Sequence, residues 1–245
     1  MVMPYEIWIQ GYYHMSGGIR ALHVLKDELN ARGLQATMLY EGQRQPGTIG
    51  VYPEIVHDNP EGYENIARWL LNTADLPDDG DVFAWETGMG SDRLLTVNII
   101  ELDLWKPRHQ KRNGIAYWVG KGTRNPRVIP AGAIEITKHN YRTRQQLSNL
   151  IHGLDYLISF DPFSAMNVEA VIAGTPVLLY GEHPVMGRER IQSHGWTRYG
   201  IAYQPSGLDR ARSEVGLAYE HYLSLLPVFA DRIDKFVEVT QETYS

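Results

Sequence analysis

Two apolar runs of strand length, "LDYLISF" (154–160) and "TPVLLYG" (175–181), are joined by "DPFSAMNVEAVIAG" (161–174). The connector is too long for a hairpin and the right length for a turn and a short helix. Strands joined through a helix lie parallel, and strands buried on both faces read as continuous apolar runs rather than as alternations. This stretch therefore commits the chain to a parallel α/β sheet.

The same grammar recurs toward the N-terminus. "YEIWIQGYY" reads as a strand and "HMSGGI" as a glycine-rich turn. "RALHVLKDELNARG" has helical periodicity and ends in a glycine at the C-cap, and "LQATMLY" is a second strand. "TIGVYPEIV" predicts a strand, "GYENIARWLLNTA" a helix and "DVFAWET" a strand. "ELDLWKPRHQKRNG" is polar, basic and carries a proline, so a domain boundary is expected there. After it, "GIAYWVG" and "AIEIT" read as strands and "YRTRQQLSNLIHG" as a helix. "LSLLPVFADRIDKFVEV" spaces Leu225, Phe229, Ile233, Phe236 and Val237 as one helix face, with Pro227 marking a start or a kink. The expectation is an α/β protein of two Rossmann-like domains, 1–110 and 111–220, with a C-terminal helix over 221–245 that crosses back to the first domain. No repeat and no low-complexity segment interrupts this plan.

Composition narrows the chemistry. A formal net charge of -6 argues against a broad basic surface for nucleic acid, leaving "KPRHQKRNG" (Lys106, Arg108, Lys111, Arg112) as the one dense basic candidate. With 0 cysteines there is no disulfide framework and no thiolate metal site. The 9 histidines show no paired ligand spacing, so no metal is expected. No apolar run approaches the ~20 residues of a membrane span, and the N-terminus lacks the pattern of a signal peptide. A soluble, cytoplasmic protein is the expectation.

Ligands of parallel sheets sit beyond the carboxyl ends of the strands. Asp161 follows the strand "LDYLISF" and so belongs on that rim. Ser164 is an N-cap for the next helix, whose first amides form an anion site, and Glu169 follows about a turn and a half along. Two carboxylates flanking a helix N-terminus suit an anion such as a diphosphate together with the hydroxyls of a sugar or a ribose. A capped turn and a solvated helix glutamate would produce the same two letters. Lys121, between two glycines in "YWVGKGTR", can approach a phosphate closely, whereas a solvated loop lysine explains it equally well.

"DPFSAMNVEAVIAGTPVL" resembles the donor-binding motif of GT-B glycosyltransferases, in particular the retaining group whose motif reads E-P-F-G, four residues, E-A, and soon G-x-P-V. Asp161 stands for the first acid, Phe163 and Ser164 for Phe-Gly, Glu169 and Ala170 for Glu-Ala, and Gly174–Val177 for the ending. Asp replaces the usual Glu, and Ser the usual Gly. The resemblance implies two Rossmann-like domains facing a cleft, and no metal or other cofactor. It implies that Glu169 binds the nucleotide ribose, that Asp161 approaches the donor-sugar hydroxyls, and that the amides from Phe163 through Ser164 to Ala165 meet the diphosphate. Similar enzymes set a basic pair against the leaving diphosphate, which Lys121 and Arg124 match loosely.

"GYYHMSGGIRALHVLKDELNARG" also looks like the N-terminal domain of such enzymes. Gly17 and Gly18 would let backbone approach the donor, and His14 would serve as a base or a sugar contact. "VYPEIVHDNPEGYENIARWLLN" resembles a segment of bacterial and phage glycosyltransferase-like proteins, with Glu54 on the acceptor side. Glu86 in "FAWETGMG" has the same standing. The function implied is transfer of a sugar from a nucleotide-sugar to an acceptor hydroxyl on a glycan, a glycolipid or a modified base in DNA. The rival expectations are a binding module of the same fold without turnover, and a nucleotide-sugar epimerase.

Overall fold

Among the described residues, ten strands form two five-stranded sheets, and every pairing within them is parallel. The computed structural model describes residues 2–9, 11, 15–39, 45–76, 79–137, 139–181 and 198–244. The first sheet contains β1 (Tyr5–Ile7), β2 (Ala36–Met38), β3 (Ile49–Pro53), β4 (Asn65–Leu70) and β5 (Asp81–Ala84), in the order β2-β1-β3-β4-β5. The second contains β6 (Ile115–Trp118), β7 (Ile134–Glu135), β8 (Tyr156–Ser159), β9 (Val177–Leu179) and β10 (Ile201–Ala202), in the order β10-β9-β8-β6-β7. In both sheets the first strand lies inside, with the second on one flank and the third on the other. Each is thus a doubly wound, Rossmann-like sheet with a switch point beside its first strand.

Among the described residues the α-helices are α1 (Gly17–Ala31), α2 (Leu102–Trp105), α3 (Arg144–Gly153), α4 (Ala165–Ile172), α5 (Leu208–Glu214) and α6 (Ala218–Tyr244). Local chemistry sets their ends. Ser16 caps α1 by accepting from the Ile19 amide at 3.3 Å. Thr143 and Gln146 form a reciprocal capping box on α3. Gly174 ends α4 with φ +80°, a conformation that a side chain would strain. Pro227 lies inside α6 rather than starting it.

One element differs in kind from the sequence reading. "GYENIARWLLNTA" predicts a helix, but Asn65–Leu70 is the strand β4, paired with β3 on one side and β5 on the other. Five of its six residues are buried, so its apolar letters cover both faces, and a short run of that kind has no period to tell strand from helix. The charge inside it is matched. Arg68 is fully buried, and its guanidinium meets Asp79 at 3.0 and 2.5 Å and the carbonyls of Val56 at 2.6 Å and Asp58 at 2.9 Å.

The chain divides into two units, residues 1–99 with 226–245, and residues 100–225. The division precedes the basic linker rather than falling at residue 110, because residues 100–112 are tied into the second unit. Trp105 is fully buried there. Arg108 donates to Asn149 Oδ1 at 3.1 Å, and Arg112 to the carbonyls of Ala173 at 2.8 Å and Leu154 at 3.4 Å. Within the first unit, the last part of α6 buries Phe229, Ile233, Phe236 and Thr240. The Phe236 ring lies 4.8 Å from Phe83 and 5.7 Å from Tyr5, whose hydroxyl bonds Thr240 Oγ1 at 2.7 Å.

Candidate functional site

The switch point of the second sheet lies between β6 and β8, where the onward connections diverge to β7 and to β9. Two loops leave the carboxyl ends of these strands side by side: Val119–Thr123, and Phe160–Ser164. Their backbones are pressed together. A Cβ at Gly122 would stand 1.7 Å from the Phe160 carbonyl oxygen, and one at Gly181, after β9, 2.2 Å from the same atom. Gly120 has φ +54°, and a Cβ there would come within 2.3 Å of Asp161 Oδ2. Glycine is required at Gly122 and Gly181 because the Phe160 backbone already fills the side-chain space, and at Gly120 because its φ is positive and the Asp161 and Trp118 side chains crowd it.

Polar contacts complete the junction. Asp161 is 8% exposed, and its Oδ2 accepts from the Lys121 amide at 3.0 Å. The Asp161 carbonyl accepts from Ser159 Oγ at 3.1 Å and from Asn167 Nδ2 at 2.8 Å. Ser164 Oγ accepts from Trp118 Nε1 at 3.0 Å and from the Met166 amide at 3.3 Å, capping α4. Ser164 thus ties the end of β6 to the start of α4, which the glycine usual at this motif position cannot do. Phe163 and Ala165 are half-buried beside it. Lys121 is exposed, and its ammonium makes no ion pair with any described residue. Arg124, although exposed, lies 5.1 Å over the Tyr117 ring and 4.0 Å from Glu135. Tyr117 donates to the same carboxylate at 2.8 Å.

Glu169 sits deeper than the rim. It is 1% exposed, and both carboxylate oxygens are held by Arg144, Oε1 at 2.7 Å and Oε2 at 3.1 Å. Arg144 also donates from Nε to Glu101 at 3.0 Å, and its guanidinium stacks 5.1 Å over Trp105. Burial alone would lower the pKa of this guanidinium, but Glu169 and Glu101 more than offset that, and the net direction is upward. In this structure, then, the carboxylate assigned by sequence to a ribose is occupied by an arginine that sequence reasoning passed over. A signal was present: Arg144 is the first residue of α3, where a cation opposes the helix dipole and calls for an acidic partner.

At the first sheet, Gly17 and Gly18 begin α1, and neither has positive φ. Glu54 follows β3 and accepts from the Leu71 amide, just past β4, at 3.1 Å. Both features belong to the carboxyl edge of that sheet near its switch point between β1 and β3. Glu86 accepts from the amide and hydroxyl of Thr87 at 3.0 and 3.2 Å. His14 lies outside the described residues. The basic linker is not a continuous cationic strip: Arg108 and Arg112 turn inward, and of its four Lys and Arg residues Lys106 and Lys111 are the exposed pair. Among the described residues, no cluster of three or more His, Asp or Glu side chains is arranged to hold a metal ion, and no helix is long and apolar enough to cross a membrane.

No family model matches the chain, and no curated protein matches it. Among solved structures it is similar to AviGT4, a glycosyltransferase involved in avilamycin A biosynthesis, with a TM-score of 0.46 and 12% identity over 96% of this chain and 98% of that one. It is also similar to TibC, a dodecameric iron-containing heptosyltransferase in complex with ADP-D-beta-D-heptose, with a TM-score of 0.36 and 11% identity over 98% of this chain and 77% of that one. At these values the fold rests on the two doubly wound sheets themselves.

Proposed function

We propose that this protein transfers a sugar from a nucleotide-sugar to an acceptor hydroxyl, with the donor bound at the carboxyl edge of the second sheet. The observation that carries the reading is the exposed Lys121 ammonium on a glycine-flanked loop, set against the Asp161–Glu169 motif at the switch point. A cation there can pair with a diphosphate in the ground state and stabilise the charge that develops on it as the bond to the anomeric carbon breaks. The motif resemblance supports a retaining reaction without a protein-bound metal, in which the departing phosphate helps take the acceptor proton. On the same reading Glu54 and Glu86 are the acceptor-side candidates of the first unit, and Gly17 and Gly18 serve the donor. A glycan end, a glycolipid and a modified DNA base are the acceptor classes to screen.

One observation favours the second reading, a binding module without turnover: Asp161 spends a carboxylate oxygen on a backbone amide rather than leaving it for a sugar hydroxyl. Calorimetric titration of UDP, GDP, ADP and dTDP tests the shared premise. One of them binds the wild type, and Lys121→Ala weakens it about tenfold or more, the effect of losing one charge-assisted contact. Binding of none sinks the donor site. The matching nucleotide-sugar, incubated with and without an acceptor pool, then separates transfer from retention of an intact donor and from epimerisation of the donor alone.

A further inference from the structure

We infer that Asp161 is a positioning residue for the diphosphate cation Lys121 and not a ligand of the transferred sugar, an assignment that rests on the donor site proposed above. Three observations converge on it. One oxygen of the carboxylate is turned back onto its own protein, Oδ2 accepting from the Lys121 amide at 3.0 Å, and the residue is 8% exposed. Space on that side is closed, since a Cβ at Gly120 would come within 2.3 Å of Oδ2 and 2.7 Å of Asp161 Cβ. Asp161 is itself clamped, its carbonyl held by Ser159 and Asn167 and the preceding Phe160 carbonyl wedged between Gly122 and Gly181.

A short acid fits this gap, whereas a glutamate would push its extra methylene into the Gly120 turn. The aspartate at a position where similar enzymes carry glutamate therefore has a physical reason here. Its function is to hold the Gly120–Gly122 turn closed so that the Lys121 side chain leaves it in one direction. Three amides around the site already have acceptors within the protein. The Lys121 amide goes to Asp161 and the Met166 amide to Ser164 Oγ, and the Asn167 amide donates to the Ser164 carbonyl at 3.0 Å. With Oδ2 of Asp161 already held by the Lys121 amide, weak discrimination between donor sugars is expected at this position.

The two roles predict opposite responses. Asparagine keeps an oxygen to accept from the Lys121 amide and removes a negative charge from the neighbourhood of the diphosphate. Alanine removes the acceptor, and glutamate restores the residue of similar enzymes while overfilling the gap. The experiment is calorimetry on the full chain, using whichever of UDP, GDP, ADP and dTDP binds the wild type. It is combined with amide hydrogen exchange at Lys121 in Asp161→Asn, Asp161→Ala, Asp161→Glu and Lys121→Ala. Expected are affinity equal to or tighter than wild type for Asp161→Asn, with a slowly exchanging Lys121 amide. Losses of about tenfold are expected for Asp161→Ala and Asp161→Glu, with fast exchange, and little further loss when Asp161→Ala is added to Lys121→Ala. Positioning is overturned if asparagine loses as much as alanine, if glutamate binds better than wild type, or if the Lys121 amide exchanges equally fast in wild type and Asp161→Ala. Failure of all four nucleotides to bind the wild type removes the donor site and this assignment together, an outcome distinct from the others.

Discussion

Gly122 and Gly18 are the same letter under different constraints. At Gly122 an added Cβ would occupy the place of the Phe160 carbonyl oxygen, so Gly122→Ala must part the β6 and β8 loops. At Gly18 the nearest atom would be Leu71 Cδ1 at 3.5 Å, an ordinary contact, and the residue is helical. Gly122→Ala is therefore expected to destabilise the second unit by about 1–3 kcal/mol, and Gly18→Ala to leave the first unit unchanged or up to about 1 kcal/mol more stable, as read by urea unfolding. If Gly18→Ala is at least as stable as wild type yet turns over donor poorly, its backbone lies where a ligand must pass. A third residue-scale expectation concerns Glu169: removing a carboxylate that is 1% exposed leaves the Arg144 guanidinium with Glu101 and Trp105 as its partners among the described residues. Glu169→Ala should cost about 3–5 kcal/mol, and a double-mutant cycle with Arg144→Met should recover part of it; additive losses would mean the pair is not coupled. Loss of nucleotide binding in Glu169→Ala would thus not by itself report a ribose contact. The local structure around the candidate site was legible at this scale where a residue's letter and place suffice, as for Asp161 after its strand, Ser164 as N-cap and Gly174 after α4. The Arg144–Glu169 pair was not, because it joins residues 25 positions apart on different helices.

Elements were legible where composition and punctuation agreed. The runs around β1, β6, β8 and β9 are short, apolar and bounded by Gly, Pro or Asp, and they became parallel strands. β4 was not legible, because "ARWLL" suits a helix as well as a strand and only its neighbours β3 and β5 decide. β10 is two residues long and carries no pattern to detect. The last turn of α6 makes a testable contact of its own. The Tyr244 hydroxyl donates to the Ile66 carbonyl and accepts from the Asp81 amide at 3.2 Å, beside the start of β5. Burial first, with the nearby Asp81 adding to it, pushes this phenol up to about 12. The folded state therefore prefers the protonated phenol. Its contribution to stability is complete below the ordinary tyrosine pKa of about 10 and is lost as pH rises toward about 12. Urea midpoints at about pH 8 and about pH 11 should fall further in wild type than in Tyr244→Phe, which has no proton to lose there. Equal falls in the two proteins would remove Tyr244 from the alkaline transition.

At the scale of the whole molecule, α6 belongs to both units: the division falls between Leu225 and Leu226, directly before Pro227, with the remainder of the helix in the first unit. Proline there leaves the Leu223 carbonyl without its helical donor, so the helix is locally weakest near the point where it changes units. Beyond that point it supplies core that the first hundred residues lack. Phe236 is fully buried against Tyr5 and Phe83, Arg32 Nε bonds Asp234 at 2.6 Å, and Gln241 Nε2 bonds the Met3 carbonyl at 3.0 Å. The second unit, by contrast, closes its sheet with residues 100–225. A chain ending at Leu225 should therefore lose amide protection across β1–β5 while keeping it across β6–β9, and Phe236→Ala in the full chain should cost the first unit about 3–5 kcal/mol. Hydrogen exchange resolved by residue measures both effects in one experiment. Retained protection in the first sheet of the shortened chain would show that residues 1–99 hold their own core and that the end of α6 only leans on it. Loss confined to that sheet would instead make the last twenty residues an integral part of an otherwise N-terminal domain, so that cleavage near Pro227 would unfold the first sheet while leaving the second folded.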